Sequence, residues 1–191
     1  MNLKRGETME ALDILIDEHV FIRQFLEILA VSLKNMEQGK RPSKEFFEKS
    51  VSFARDFTDK YHHFKEEYIL FNRLAEKKKG EIDAQVQSLK FQHERGRALI
   101  GDVAKALEGY AKGQEAQTLI LLESLAAYTS LMRQHVHKED HIFYPMVEKE
   151  MPWDEYRGLL EVFQQEGKKM GEGFLEKSKR NLYEVGRLLL V

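Results

Sequence analysis

An internal repeat in the sequence singles out residues that could bind metal. Residues 62–71 align with residues 135–144 at a constant offset of 73, and each segment carries the spacing His-x-x-x-Glu. One further histidine precedes each segment, and these two residues, His19 and His93, align at an offset of 74. Repetition of this kind selects residues without any assumption about function. The residues that the repeat keeps are His19, His62, Glu66, His93, His135 and Glu139.

These residue types at this spacing indicate a dinuclear metal site. Residues four apart lie close together in projection on an α-helix, so each His-x-x-x-Glu segment can point both side chains at one site. Burying them unpaired is costly, and bound metal would remove that cost. With both glutamates bridging, each of two ions has two nitrogen and two oxygen ligands. A shared oxo or hydroxo group would be the fifth ligand of each ion and would leave one coordination position open. This ligand set suits two iron ions, with manganese or zinc as substitutes.

The elements that must position these residues are helices. Strong helix formers dominate the chain, apolar residues recur at spacings of three and four, and helix breakers divide it into five segments. Short connections predict an all-α, up-down-up-down four-helix bundle over residues 1–150 and a C-terminal helical extension over residues 151–191. The helices are expected near 8–38, 43–78, 82–111, 114–150 and 153–189.

Local signals refine these helices. Ser43 and Asp154 are suited to be N-caps. Pro145 lies inside the fourth helix and is expected to kink it. The fifth segment is interrupted by glycines and is therefore treated as an appendage that can bend. These glycines are Gly167, Gly171, Gly173 and Gly186.

The neighbours of the proposed ligands test whether those ligands face a core. Around His19, His93 and His135 the same helix face is apolar, as inward-pointing ligands require. His62 is less clear, because charged residues share its face while a phenylalanine stripe runs along roughly the opposite one. We expect that stripe to pack against the fifth segment or against another subunit of a homodimer. Its members are Phe53, Phe57, Phe64 and Phe71.

Composition excludes several classes of protein. A chain of 191 residues suits one domain with an extension, and a net charge of −2 gives no basic field to attract nucleic acid or anionic lipid. The sequence contains no cysteine, which excludes disulfides, thiolate zinc sites and cysteine-ligated iron–sulfur clusters. It lacks both the apolar core of a signal peptide and an apolar run of membrane-spanning length, so a soluble cytoplasmic protein is expected.

Four segments carry a family resemblance: DEHVFIRQ (17–24), FQHERGRAL (91–99), HHFKEEYILF (62–71) and HVHKEDHIFYP (135–145). They resemble the hemerythrin-like (HHE) cation-binding family over about residues 8–150. In motif the chain is most similar to the di-iron proteins that repair iron–sulfur clusters damaged by nitric oxide. The resemblance implies two bridged iron ions held by the four histidines and two glutamates above, with oxygen or nitric oxide as the small diatomic partner.

Two departures from the family limit this resemblance. Leu89 and Arg97 stand where oxygen-carrying hemerythrins have an extra histidine in the third helix, and the sequence shows no counterpart of the cysteine-bearing N-terminal segment of many repair proteins. The missing imidazole predicts that the reduced site reacts with oxygen or nitric oxide without a long-lived, reversible oxygen adduct. The exception would be a site completed by His63, His137 or Tyr128.

Other polar residues near the motifs allow two interpretations. His63, His137 and His141 could be ligands, but the last two align with Phe64 and Tyr68, so surface or supporting roles are favoured for all three. The repeated charged residues could support the ligands or lie on a solvated face. They are Glu67 with Asp140, and Arg23 with Arg97.

Three functions compete at this point. The leading hypothesis is a non-haem di-iron protein that binds or reacts with oxygen, nitric oxide or peroxide in sensing, protection or iron-centre repair. It would be a metal- and ligand-binding protein more than a substrate-turnover enzyme. The alternative is a non-enzymatic iron sensor or store, whose bundle is ordered by metal and recognised by a partner. A ferritin-like oxidase ranks last, because that group uses Glu-x-x-His pairs.

Overall fold

The fold is all-helical, as predicted. The computed structural model describes residues 10–75 and 80–189, and within these ranges it contains six helices and no strand. The helices are α1 (Glu10–Glu37), α2 (44–75), α3 (Gly80–Ala111), α4 (115–150), α5 (Trp153–Lys169) and α6 (Phe174–Arg187). The first four match the predicted bundle helices within a few residues, although the predicted ends at residues 8 and 78 lie outside the described residues.

Local sequence signals explain several helix ends. Ser43 caps α2 as predicted, since its Oγ accepts the backbone N–H of Phe46 at 3.1 Å. Gly39 follows α1 with φ at 78°, a left-handed conformation that glycine adopts without steric cost. Helix α5 begins with Pro152 in the capping position, so the N-cap predicted at Asp154 is wrong by two residues. Pro152 is pre-set for the extended backbone that precedes a helix.

Helices α2 and α4 contain π-helical turns at the ligand motifs. The π-helical stretches are Ala54–His63 and Lys65–Leu70 in α2 and Glu139–Phe143 in α4. The backbone N–H of Phe71 donates to the Glu66 carbonyl five residues earlier, and Tyr144 donates to Glu139 in the same way. Pro145, which has no N–H, follows directly, and the kink expected there stays a prediction. Short π-helical turns frequently occur at functional sites.

Most of the phenylalanine stripe of α2 is buried. Phe53 and Phe57 pack on aromatic rings of α1 at centroid distances of 4.8 and 6.0 Å, and Phe71 packs on Phe143 of α4 at 5.5 Å. Phe64 stays partly exposed. Three of the four phenylalanines are therefore buried within the chain. Phe53 and Phe57 share an apolar cluster with Val185 of α6, and Phe71 shares the other cluster with Leu159 of α5, which agrees with the expected packing against the fifth segment.

The proposed ligands lie in a polar layer between two apolar clusters. One cluster includes Leu15 and Leu89, which stand four residues before His19 and His93 on α1 and α3. The other includes Ile22, three residues after His19. Burial of such side chains contributes about 25 cal/mol per Å² of apolar surface. The two clusters therefore hold the four bundle helices around the polar layer from both sides.

The C-terminal extension packs onto the bundle. It bends at residues 170–173 as predicted, where Gly171 and Gly173 have φ values of 96° and 76°. Helix α5 buries Leu159 in one apolar cluster, and α6 buries Val185 in the other. The extension thus contributes to both cores, and the domain boundary at residue 150 stays a prediction.

Candidate metal centre

The six predicted ligands converge in one buried layer, where each has a relative exposure of 0%. They fall into two overlapping groups. The first group contains His19, His62, Glu66 and Glu139, and the second contains His63, Glu66, His93 and His135. Within each group the potential ligand atoms lie within 4.8 Å of one another. Glu66 belongs to both groups and is therefore placed to bridge them.

Glu139 also faces both groups. Its Oε2 lies 3.3 Å from Nε2 of His19 and 3.1 Å from Nε2 of His135. Oε2 of Glu66 lies 3.4 Å from Nε2 of His93. Two ligand atoms bound at about 2.1 Å and at right angles on one ion lie about 3 Å apart. The separations are therefore close to those that a pair of ions bridged by two carboxylates requires.

Several of these atoms have no hydrogen-bond partner. They include Nε2 of His19 and His62, Oε2 of Glu66, and both carboxylate oxygens of Glu139, all of them buried. Each unsatisfied buried polar group costs about 1–3 kcal/mol, and a charged one costs more. Metal ions would satisfy these atoms at once, so the residues present fit a pair of metal ions.

A hydrogen bond fixes Nδ1 of His19, the ring nitrogen that points away from the layer. Its Nδ1 hydrogen-bonds to a carboxylate oxygen of Asp140 at 2.6 Å, and Arg23 donates to the other oxygen of that carboxylate. An acceptor on Nδ1 fixes the orientation of the ring and leaves Nε2 free for a metal. The second copy of the repeat places the same contacts among His93, Glu67 and Arg97. The repeated charged residues are thus supporting residues, and among them Arg23 also stays exposed to solvent.

The other two ligand histidines are held by residues that the sequence interpretation missed. Nδ1 of His62 hydrogen-bonds to Glu18 at 3.0 Å, and Nδ1 of His135 hydrogen-bonds to Gln92 at 2.9 Å. Glu18 and Gln92 align at the offset of 74 that relates His19 to His93, so the repeat contained the signal. All four histidines therefore present Nε2 to the layer and Nδ1 to a fixed oxygen.

Burial, hydrogen bonds and neighbouring charges shift the pKa values of several ligands in this layer. Burial alone would lower the pKa of His19, but its hydrogen bond to Asp140 and the nearby carboxylate of Glu139 raise that pKa to about 9. Burial raises the pKa of Glu139 to about 8, and the neighbouring charge of Glu66 adds to the rise. Burial also holds the pKa of His135 well below its ordinary value. Metal ions that bind the unprotonated forms would displace the protons on His19 and Glu139.

His63 joins the second group, although the repeat does not select it. The residue is only 3% exposed, and neither ring nitrogen has a hydrogen-bond partner. Its ring stacks on His93 with centroids 3.8 Å apart and planes at 14°. Burial lowers the pKa of His63 to about 4, so the imidazole is neutral at pH 7. The sequence favoured a surface or supporting role for His63, whose repeat counterpart is Val136, and its burial excludes the surface role.

Two more buried groups distinguish the halves of the site. Tyr144 donates its hydroxyl proton to Oε1 of Glu66 at 2.6 Å, whereas its repeat counterpart Phe71 has no hydroxyl. Lys65 is 1% exposed and donates to Glu18, the residue that orients the first group's His62. The two halves of the site therefore differ in the polar side chains beside their ligands.

Two of the remaining rivals lie on the surface. His137 and His141 are exposed, and their rings stack on each other at 4.2 Å. Nδ1 of His141 lies 2.9 Å from the backbone carbonyl of His137. The surface role expected for these two histidines is confirmed. Tyr128 is buried within an apolar cluster.

The helical fold and its buried layer of histidines and glutamates are the features of a metal-binding helical protein. The chain belongs to the hemerythrin HHE cation-binding domain family, which matches it over residues 10–147. That match confirms the family resemblance and a cation-binding role.

Similar proteins add no assigned function. The chain is 26% identical over 159 residues to the uncharacterized protein Mb2018 of Mycobacterium bovis and to the uncharacterized proteins MT2051 and Rv1995 of Mycobacterium tuberculosis. The matched region is 83% of this chain and 62% of each relative, so the chain spans less than two thirds of their length. No solved structure matches it significantly. None of the helices in the described ranges has the length and apolar character needed to cross a membrane.

Proposed function

We propose that the protein holds two iron ions, bridged by Glu66 and Glu139, and uses them in the cytoplasm to bind or react with oxygen, nitric oxide or peroxide. One observation carries this proposal: both glutamates are buried between two histidine groups, with carboxylate oxygens that have no hydrogen-bond partner. A carboxylate in that position would link two ions. Sensing, protection and iron-centre repair are the roles that such a reaction would serve.

The donor set favours iron and leaves room for a small ligand. Imidazole and carboxylate ligands with open positions are typical of non-haem iron sites, and manganese and zinc accept the same ligands. When bound, two ferrous ions would supply the electrons for a reaction with oxygen, nitric oxide or peroxide. Apolar clusters on both sides of the layer limit the access of bulk water. Asp140 and Glu67 keep His19 and His93 oriented throughout.

A spectroscopic experiment tests the proposal. Protein loaded with iron and reduced without oxygen is mixed with oxygen, nitric oxide or hydrogen peroxide, and the visible spectrum is recorded before and after mixing. We expect new charge-transfer bands, which should be absent from a Glu139→Ala variant treated in the same way. An unchanged spectrum in protein that holds two iron ions would contradict this function and favour the iron sensor or store.

A further inference from the structure

We infer that His63 is a fifth imidazole ligand of the centre, bound to the ion of the second group, so that the two ions are chemically inequivalent. This inference rests on the dinuclear site proposed above. It adds one ligand to the six that the repeat identifies, and it names the ion that is left open to a small molecule.

The first argument is the unsatisfied state of the side chain. The ring of His63 is buried and neither nitrogen has a hydrogen-bond partner. Buried side-chain polar atoms nearly always have a partner, so a histidine that served only to pack would be expected to bond through at least one nitrogen. One ring nitrogen of His63 lies within 4.8 Å of ligand atoms of Glu66, His93 and His135. A metal ion among these residues would satisfy it.

The second argument is the acid next to its ring. Nδ1 of His63 lies 3.6 Å from a carboxylate oxygen of Asp59, too far for a hydrogen bond but on the same ring nitrogen that the other four histidines direct to an acceptor. Asp59 is held by Arg97 at 2.8 Å, and the same guanidinium donates to Glu67, the acceptor of His93. Asp59 is therefore placed beside Nδ1 of His63, and Arg97 links it to the acceptor of His93, so a small movement of the ring would give His63 the same kind of support.

The third argument is the asymmetry that follows from the repeat. The counterpart of His63 is Val136, which is buried in an apolar cluster, so the first group has no matching nitrogen. The second ion would have three imidazoles, two carboxylates and the shared oxygen, which fills six positions. The first ion would have two imidazoles and keep one position open. Small ligands would then bind at the ion held by His19 and His62, and the missing imidazole no longer argues against a reversible oxygen adduct.

Cobalt(II) titration of a His63→Leu variant tests the inference. Leucine keeps the apolar bulk and removes both ring nitrogens, and His137→Leu is the matched control at an exposed histidine of α4. We expect wild type and control to bind two cobalt ions. The His63→Leu variant should hold one of them at least about tenfold more weakly, by the scale of losses at supporting residues. Its absorption bands should also intensify, because a six-coordinate ion becomes five-coordinate.

The possible outcomes distinguish a failure of the His63 assignment from a failure of the proposed dinuclear site. Wild type that binds fewer than two cobalt ions would overturn both. If wild type binds two cobalt ions and His63→Leu shows the same affinities and absorption bands, only the assignment of His63 as the fifth imidazole ligand would be overturned. A measurement on wild type covers the case in which the variant does not fold: ring nitrogens of ¹⁵N-histidine bonded to ¹¹³Cd show spin–spin splitting in NMR. Five split nitrogens are expected, and four would overturn the inference.

Discussion

Replacing Glu139 with alanine is expected to abolish the retention of both metal ions and to lower the melting temperature of the iron-loaded protein by about 10 °C or more. The reason is that one carboxylate oxygen contacts His19 of the first group and His135 of the second, at 3.3 and 3.1 Å. The substitution would remove a ligand that both ions share. Metal analysis after desalting and scanning calorimetry on the same sample measure the two effects.

Two further variants control this experiment. His62→Ala should lower metal retention and melting temperature together through the first group, whereas His141→Ala, at an exposed position of α4, should change neither. Equal losses in all three variants would show that the ligands on α4 were assigned in the wrong register. Full metal retention by Glu139→Ala would contradict its bridging role.

Loading the metal-free protein with iron(II) under anaerobic conditions is expected to raise its free energy of unfolding by about 5 kcal/mol. Each site contributes about 2.7 kcal/mol when free iron is 100 times the dissociation constant and the unfolded chain does not bind it. The gain has a structural origin, because Nε2 of His19 and His62 and the oxygens of Glu139 are unpaired in the buried layer.

Anaerobic urea unfolding with and without iron measures this gain as a shift of the midpoint. The Glu139→Ala variant is the matched control, and iron should not move its midpoint. Identical midpoints for loaded and metal-free wild type would show that the layer is stable without metal. The histidines and glutamates would then be structural residues, and the account of the site would fail.

The internal repeat made the ligands predictable from the sequence. Each half of the chain contributes one helix pair to the same site, so both halves need the ligand residues at the same positions. Alignment of the two halves therefore separates His62 and Glu66 from their polar neighbours. The ends of the first four helices were predictable for a different reason, since residues such as Gly39 and Ser43 have strong conformational preferences, whereas the fifth predicted segment forms two helices.

The features that escaped prediction break a regular period or the repeat. The π-helical turns of α2 and α4 depart from the α-helical period, so no α-helical count can anticipate them. His63 has an apolar counterpart, so a method that trusts symmetry discards it. Glu18 and Gln92 both orient a histidine, but because they differ in charge the sequence comparison did not identify them as equivalent. These are the positions where the two halves of the site differ in chemistry.

Metal analysis of the protein tests the central claim most directly. The chain should be purified without added metal, and a second sample should be reconstituted anaerobically with iron(II), desalted and measured by plasma mass spectrometry against protein concentration. We predict two metal ions per chain, mostly iron, because six ligands with two bridging carboxylates match a dinuclear site and not a mononuclear tetrahedral one. A reproducible value of one or zero after anaerobic iron loading would contradict the dinuclear centre.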